Sequence, residues 1–384
     1  MNKIKYFFIL LIAGASLVSC SKSDNNAEIE PLRDFAVQYA TDKATIESYL
    51  NTHFITVTEN SGDVSDMDIK IDSIKDATTQ VPIMSYKANV GTATFPQLKS
   101  KIVNLYGVDF ELYYLVLREG IGESPMNTDG VLTSYSGRYL TNVAAKGIYS
   151  AYIKSTSFEE VKYPQSFFDL TGVVTGWSEV FPEFKSGSVD SNSNTDGTVV
   201  YKDFGAGVMF LPSALGYYTG NGTIPSYSPL VFSFKLYKIT RLDHDADGIP
   251  DYLEDLNHDG YVYDYRSTTL YPTTPATNPD DTDGDGIPDF IDVDDDGDSF
   301  TTKLEITKPT TEVGVVNGVN FGPSKYYPYN AFTVEDDPAT PNINESLNSE
   351  PKGIPAFAAT GEPDYTSSGR LRIHLDKAHH TAKP

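Results

Sequence analysis

The feature that most restricts how this chain can fold is negative charge set at fixed intervals. Residues 241 to 300 carry 18 Asp or Glu against two basic residues, Arg241 and Arg266. Carboxylates at that density repel one another, so the segment cannot collapse until something positive neutralises it. The acids are also in register. Asp243, Asp245, Asp247, Gly248, Asp251 and Glu254 take positions 1, 3, 5, 6, 9 and 12 of one stretch. Asp281, Asp283, Asp285, Gly286, Asp289 and Asp292 repeat that spacing, and the string DGIPD recurs in both. Asp294, Asp296, Asp298 and Glu305 fill positions 1, 3, 5 and 12 of a third stretch, with Ser299 where Gly is preferred. Asp255, Asn257, Asp259 and Gly260 begin a fourth that has no acid at position 12.

Alternating oxygen ligands put several carboxylates on the inner side of a tight loop. The Gly permits the sharp turn, and a final acid closes the shell around a hard cation at about 2.3–2.6 Å. A solvated acidic linker would not keep one register three times, so the spacing points to calcium in a structural role. No amphipathic helices flank the loops, and in this they resemble thrombospondin type 3 repeats rather than EF-hands. Such extracellular modules bind at about 10⁻⁴–10⁻³ M, which fits a calcium-stiffened spacer better than a sensor. His244 and His258 read as non-ligand fillers, and His374, His379 and His380 as part of a polar tail.

The amino-terminal residues read as an export signal. Lys3 and Lys5 precede an apolar stretch from Tyr6 to Val18 that is too short for a membrane span. It ends in LVSC, which resembles the lipobox of bacterial lipoproteins, and Cys20 is the only cysteine. The expectation is lipidation at Cys20, attachment to a membrane through acyl chains, and a flexible tether over residues 21 to 31. Ser21 after the Cys points to the outer membrane, with the protein in the cell envelope facing the periplasm or the surface. One cysteine allows no intramolecular disulfide. The formal charge of −24 excludes nucleic acid as a partner, since phosphates would be repelled.

Between these ends the pattern changes twice. Phe35, Tyr39, Ile46, Tyr49 and Leu50 recur at helical intervals and predict one or two short helices over residues 32 to 54, with Thr41 or Asp42 able to cap a second. Residues 32 to 108 read as a small α+β region. From residue 109 to 240, β-rich runs alternate with Gly and Pro turns. The last of these places Leu230, Phe232, Phe234 and Leu236 on one face, as in a half-buried antiparallel strand. Residues 241 to 306 hold the acidic repeats, and residues 307 to 384 read as an irregular tail rich in Pro, Thr, Asn and Gly.

The single tryptophan lies in TGVVTGWSEVF, residues 171 to 181. The segments around it run EGIGESP (119–125), VLTSYSG (131–137), SFEE (157–160), SFFDLTGVVTGW (166–177), LPSALGYY (211–218) and TIPSYSPLVFSFKL (223–236). In this order they resemble the FKBP-type peptidyl-prolyl cis-trans isomerases. The resemblance implies an α+β fold, a bent antiparallel sheet around a short helix, with the indole as the floor of an apolar pocket for Pro-containing polypeptide segments. Tyr135, Phe158, Val173, Val174, Trp177, Ile224 and Phe232 would line it. Tyr217 would offer its hydroxyl and Val174 its amide to the substrate carbonyl, and Glu159 would support the pocket. Gly176 would let a substrate or a neighbouring strand come close.

The chain departs from the family pattern at Glu159, where the family has Asp, and at Tyr218, where it usually has Gly. Ser166 replaces an aromatic, and residues 138–156 and 188–203 are insertions near the pocket mouth. Two functions therefore stand side by side. One is an isomerase of X-Pro bonds in exported proteins, which needs no cofactor for catalysis. The other is a weakly active or inactive module that holds Pro-containing segments.

Overall fold

Six strands carry the fold, and the central ones are buried on both faces. A computed structural model describes residues 31–189, 199–357 and 361–380. Cys20, the signal and the tether to residue 30 lie outside the described residues. Residues 31 to 34 have no regular structure, and the chain from Phe35 onward forms one unit.

In that unit α1 (Phe35–Thr52) leads into a hairpin of β1 (His53–Thr58) and β2 (Asp68–Ser73). The main sheet contains β3 (Gln97–Leu105), β4 (Val108–Arg118), β5 (Gly130–Val143), β6 (Tyr152–Val161), β8 (Gly205–Leu211) and β9 (Leu230–Thr240). Its order is β3-β4-β8-β9-β5-β6, every pair is antiparallel, and the two-residue β7 (Phe168–Asp169) adds to β5. The short helix α2 (Thr175–Val180) brings Trp177 and Val180 to one face of the sheet. The boundary expected between residues 108 and 109 falls inside the β3–β4 hairpin, whose register pairs Leu105 with Val108.

Alternation along the strands sorts the side chains into two cores. Phe110, Leu112, Tyr114 and Val116 of β4 face inward with Met209, Leu211, Phe232 and Phe234, against Trp177 and Phe181. Tyr113, Leu115 and Leu117 face outward with Val208, Phe210 and Val231, beneath Ile46, Tyr49 and Leu50 of α1. Burial of each such side chain contributes about 1.5–3 kcal/mol. The strand β9 is thus covered on both faces and not half-buried as its alternation predicts, because α1 and the β1–β2 hairpin cover what would otherwise be a wet face.

The helix over residues 35 to 52 is also one helix rather than two. Asp42 does not cap a second start. Its carboxylate is buried and accepts from Ser213 N at 2.7 Å, Ser213 Oγ at 2.6 Å and Gln38 Nε2 at 2.7 Å. With no Gly or Pro between Phe35 and Thr52, nothing breaks the backbone.

The carboxy-terminal region is packed rather than loose. Ile306, Tyr327, Ile354 and Ile373 form a third core with Ile249 of the first acidic stretch. Lys308 and Glu350 make a buried ion pair there, and His374 is buried. Regular elements are short, as the composition predicts, but the segment is anchored. Among the described residues no helix is long and apolar enough to cross a membrane.

Hydrogen bonds to a buried charged group contribute about 1.5–3 kcal/mol each. Asp42→Ala is accordingly expected to lower unfolding stability by about 3 kcal/mol, since the Ser213 amide loses its acceptor. Urea denaturation measures it, and a loss under 1 kcal/mol would mean that α1 is held by its apolar face alone.

Candidate functional site

Every pocket residue named from the sequence reaches the inner core. Trp177 is ringed by aromatic edges: Tyr135 at 4.8 Å, Phe232 and Phe181 at 5.3 Å, and Phe168 at 5.8 Å between ring centroids, all near perpendicular. Phe158 stands edge-on to Phe232 at 5.6 Å, and Ile224 is buried in the same cluster. Val173, Val174 and Tyr217 pack against it half-buried. Such edge-to-face pairs add about 0.5–1.5 kcal/mol beyond the area they bury.

The cage is positioned by its local sequence. The β7 residue Asp169 accepts from Thr171 N and Oγ1, which turns the chain toward α2. Trp177 N donates to Val174 O at 2.8 Å and starts the helix. Val174 N–H finds no acceptor among the described residues, which leaves a donor on the cluster's margin. A Cβ on Gly176 would lie 2.4 Å from the Leu211 side chain, so of the two roles expected for this glycine, close approach of a neighbouring strand is the one realised.

Glu159 and Tyr218, set apart in the sequence, have the following surroundings. Burial, and then the nearby Glu159 carboxylate, raise the Tyr135 phenol. Tyr218 packs at the edge of the same core and stacks on Phe35 of α1 at 4.5 Å. The cage is nonetheless tight, since Trp177 exposes only 4% of its surface and its Nε1 is buried without a partner.

The acidic stretches fold as four copies of one loop. The amide at position 6 donates to the carboxylate at position 1 in each: Gly248 to Asp243, Gly260 to Asp255, Gly286 to Asp281 and Ser299 to Asp294. The amide at position 5 donates to position 3, and that at position 7 to position 5, again in all four. In the first and third loops these bonds leave the other oxygen of positions 1, 3 and 5 without a hydrogen-bond partner. Asp281, Asp283 and Asp285 converge, as do Asp294, Asp296 and Asp298. Glu305 lies beside the latter three with both oxygens buried and unpartnered. Asp243 Oδ1 is likewise unpartnered in the first loop, where Asp245, Asp247 and Glu254 converge.

Burial and mutual repulsion push Glu254 up to about 12 and Glu305 to about 9. Oxygen-only clusters of this kind suit a hard cation.

Position 9 has a different role from the ligand expected. Asp251 accepts from His244 N at 3.0 Å and holds His244 Nδ1 at 2.6 Å, while Asp289 accepts from Thr282 N and Oγ1. In the third loop the same position is Thr302, whose hydroxyl accepts from Asp295 N. Position 9 ties the loop shut at position 2. Asp292 accepts from Asp294 N and so links two loops. In the incomplete fourth loop, Asp255, Asn257 and Asp259 make the turn, and Asp280, which spacing does not reveal, receives Leu256 N.

His244 is not a filler. Asp251 raises His244 to about 9, and its Nε2 lies 3.4 Å from Asp169, joining the first loop to the segment before α2. His380 stacks on Phe300 and lies 3.2 Å from Asp298.

Nor is the acidic segment a spacer. Tyr261 and Tyr263 donate to Glu179 of α2, and Asn127 exchanges two hydrogen bonds with Val262. The loops lie against the sheet domain because their tyrosines and apolar residues have partners there.

Against known proteins, the profile of the BamM C-terminal family matches residues 244–342. No curated protein sequence matches the chain. Among solved structures, a peptidyl-prolyl cis-trans isomerase from Pseudomonas syringae pv. tomato is 21% identical and aligns over 42% of this chain and 99% of its own, with a TM-score of 0.26. FkpA from Escherichia coli is 24% identical over 41% of this chain and 56% of its own, with a TM-score of 0.26. The N-terminal domain of FKBP42 from Arabidopsis thaliana is 15% identical over 38% of this chain and 98% of its own, with a TM-score of 0.25.

Ser299 takes the left-handed conformation that position 6 requires, with φ of 77°. That region costs a non-Gly residue about 1–2 kcal/mol, offset in part by the entropy of Gly. Ser299→Gly is expected to raise stability by about 0.5–1 kcal/mol, read from thermal melts. A lower melting temperature would mean that the Ser side chain has a role of its own.

Proposed function

We propose that this chain is an FKBP-type peptidyl-prolyl cis-trans isomerase of the cell envelope, anchored at Cys20, probing Pro-containing segments of exported proteins and braced by calcium in its acidic loops. The observation that carries this is the convergence of Tyr135, Phe158, Val173, Val174, Ile224 and Phe232 on Trp177, with the Val174 amide unengaged beside them.

The chemistry asks for such a cage. Twisting an X-Pro amide meets a barrier of about 18–20 kcal/mol because resonance is lost. The cis and trans forms differ by only about 0.5–1 kcal/mol, so the task is kinetic. No nucleophile or general base is required, only tighter binding of the twisted form than of either planar one. Planar amide resonance depends on solvating separated charge, and an aromatic, water-poor cleft withholds that solvation. In this reading the Val174 amide and the Tyr217 hydroxyl hold the carbonyl while Trp177, Phe232 and Ile224 receive the prolyl ring.

Calcium would be held by Asp243, Asp245, Asp247 and Glu254 in the first loop, by Asp281, Asp283 and Asp285 in the second, and by Asp294, Asp296, Asp298 and Glu305 in the third. It would supply the positive charge that lets these clustered acids ionise together, with no part in the isomerisation.

A second reading is favoured by the 4% exposure of Trp177. A cage this closed suits a module that binds proline segments slowly, or on opening, without turnover.

NMR exchange of a short Xaa-Pro peptide with the mature chain separates the two. The isomerase predicts accelerated exchange that falls about tenfold in Tyr217→Phe, the equivalent of one net hydrogen bond of about 1.4 kcal/mol. No acceleration, with Trp177 fluorescence still shifting on adding peptide, leaves the binding module. Chelation tests the calcium. At a free concentration about 100-fold above Kd, each site adds about 2.7 kcal/mol, so EGTA is expected to lower the melting temperature and added Ca²⁺ to restore it. An unchanged melt would remove calcium from the proposal.

A further inference from the structure

One carboxylate in the acidic region belongs to no loop by spacing. Asp295 sits at position 2 of the third stretch, where the other loops have His244, Leu256 and Thr282. Its backbone amide is held by Thr302 Oγ1 at 3.3 Å, within its own loop. Its side chain leaves that loop. One oxygen of Asp295 and one each from Asp245, Asp247 and Glu254 lie within 4.8 Å of one another. Asp295 is 1% exposed, and Asp247 and Glu254 are each 2% exposed. Asp245 Oδ2, Asp247 Oδ2 and both oxygens of Glu254 and of Asp295 have no hydrogen-bond partner. Four carboxylates aimed at one buried point, with so many oxygens unsatisfied, stay ionised together only with a cation among them.

We propose that a divalent cation is clasped between the first and third acidic loops, by Asp245, Asp247 and Glu254 from the one and Asp295 from the other. The inference rests on the reading that these loops bind calcium, and it deepens that reading. The donors are all oxygen, which selects a hard ion and disfavours zinc or copper.

The clasp makes the loops depend on each other. Asp295 lies between Asp294 and Asp296, which converge in the third loop's own cluster. Filling that cluster fixes the backbone on both sides of Asp295 and so presents its carboxylate to the first loop. Residues far apart in sequence are then closed by one ion, and binding at the two loops is positively cooperative. Through Asp251 and His244 the first loop also reaches Asp169, just before the helix that carries Trp177.

The test is a Ca²⁺ titration by calorimetry on the mature chain, with Asp295→Asn and, as a control confined to the second loop, Asp281→Asn. Loss of an outer-sphere partner alone weakens metal sites by about 10–100-fold, so Asp295→Asn is expected to weaken one site at least tenfold and to reduce cooperativity. Asp281→Asn is expected to remove a different site and leave the cooperativity intact. An Asp295→Asn isotherm that matches the unaltered protein overturns the clasp while leaving calcium in the loops. An unaltered protein that takes up no Ca²⁺ overturns the calcium reading and the clasp with it. Should Asp295→Asn not fold, crystals of the unaltered protein soaked in Tb³⁺ decide the matter by anomalous scattering. A peak about 2.3–2.6 Å from an Asp295 oxygen supports the clasp, and a first-loop peak with Asp295 turned away overturns it.

Discussion

Glu179 joins three parts of the molecule. It lies on α2, two residues after Trp177, and its buried carboxylate meets Lys101 of β3 at 2.8 Å and the Tyr263 hydroxyl at 3.2 Å. Tyr261 reaches the same place, donating to the Glu179 carbonyl and to Glu183, while the Lys101 ammonium lies 3.2 Å from the centre of its ring. A buried charge left without its partners costs several kcal/mol, so the sheet, the helix under the aromatic cage and the acidic segment hold one another in place. The acidic segment therefore braces the cage instead of holding it at a distance.

The same rule of buried charge governs the acidic loops, where among the described residues no Lys or Arg forms an ion pair with the converging carboxylates. In the first and third loops the backbone amides at positions 5, 6 and 7 satisfy one oxygen of each side chain they meet and leave the other without a hydrogen-bond partner. The loops thus build negative cavities by spending their own hydrogen bonds. The oxygens that remain fit the calcium proposed for these loops, and the proposed clasp at Asp295 extends this logic from one loop to two. Core residues such as Ile249 and Ile306 sit at the margins of these loops and bind the carboxy-terminal region to them.

The cage residues were legible through the resemblance of their segments, in order, to a family pattern, and the fold adds that Tyr135 and Phe232 lie on paired strands. The second core was legible too, in a signal the sequence reading passed over. Runs such as Tyr113–Leu117 and Val208–Leu211 are apolar without alternation, which means burial on both faces. The covering helix was read from its periodicity, but its length was not, because Asp42 looks like a cap until Ser213 is found against it. Spacing failed at position 9 for a related reason. Asp251 and Asp289 have the interval of a ligand, and only the bond each makes to position 2 shows another role, one that Thr302 fills without a carboxylate.

The sequence by itself determined the loops, since each is closed by bonds between residues at most a few positions apart and the spacing of Asp and Gly specifies them. It also determined which side chains could form an aromatic cage. Tertiary structure alone decided that Asp295 faces the first loop, that Asp280 serves the fourth, that His244 reaches Asp169, and that Lys308 finds Glu350. These pairs are made by chain segments that meet only after the sheet and the loops have folded, and no local periodicity records a contact whose geometry is set by the packing of distant elements.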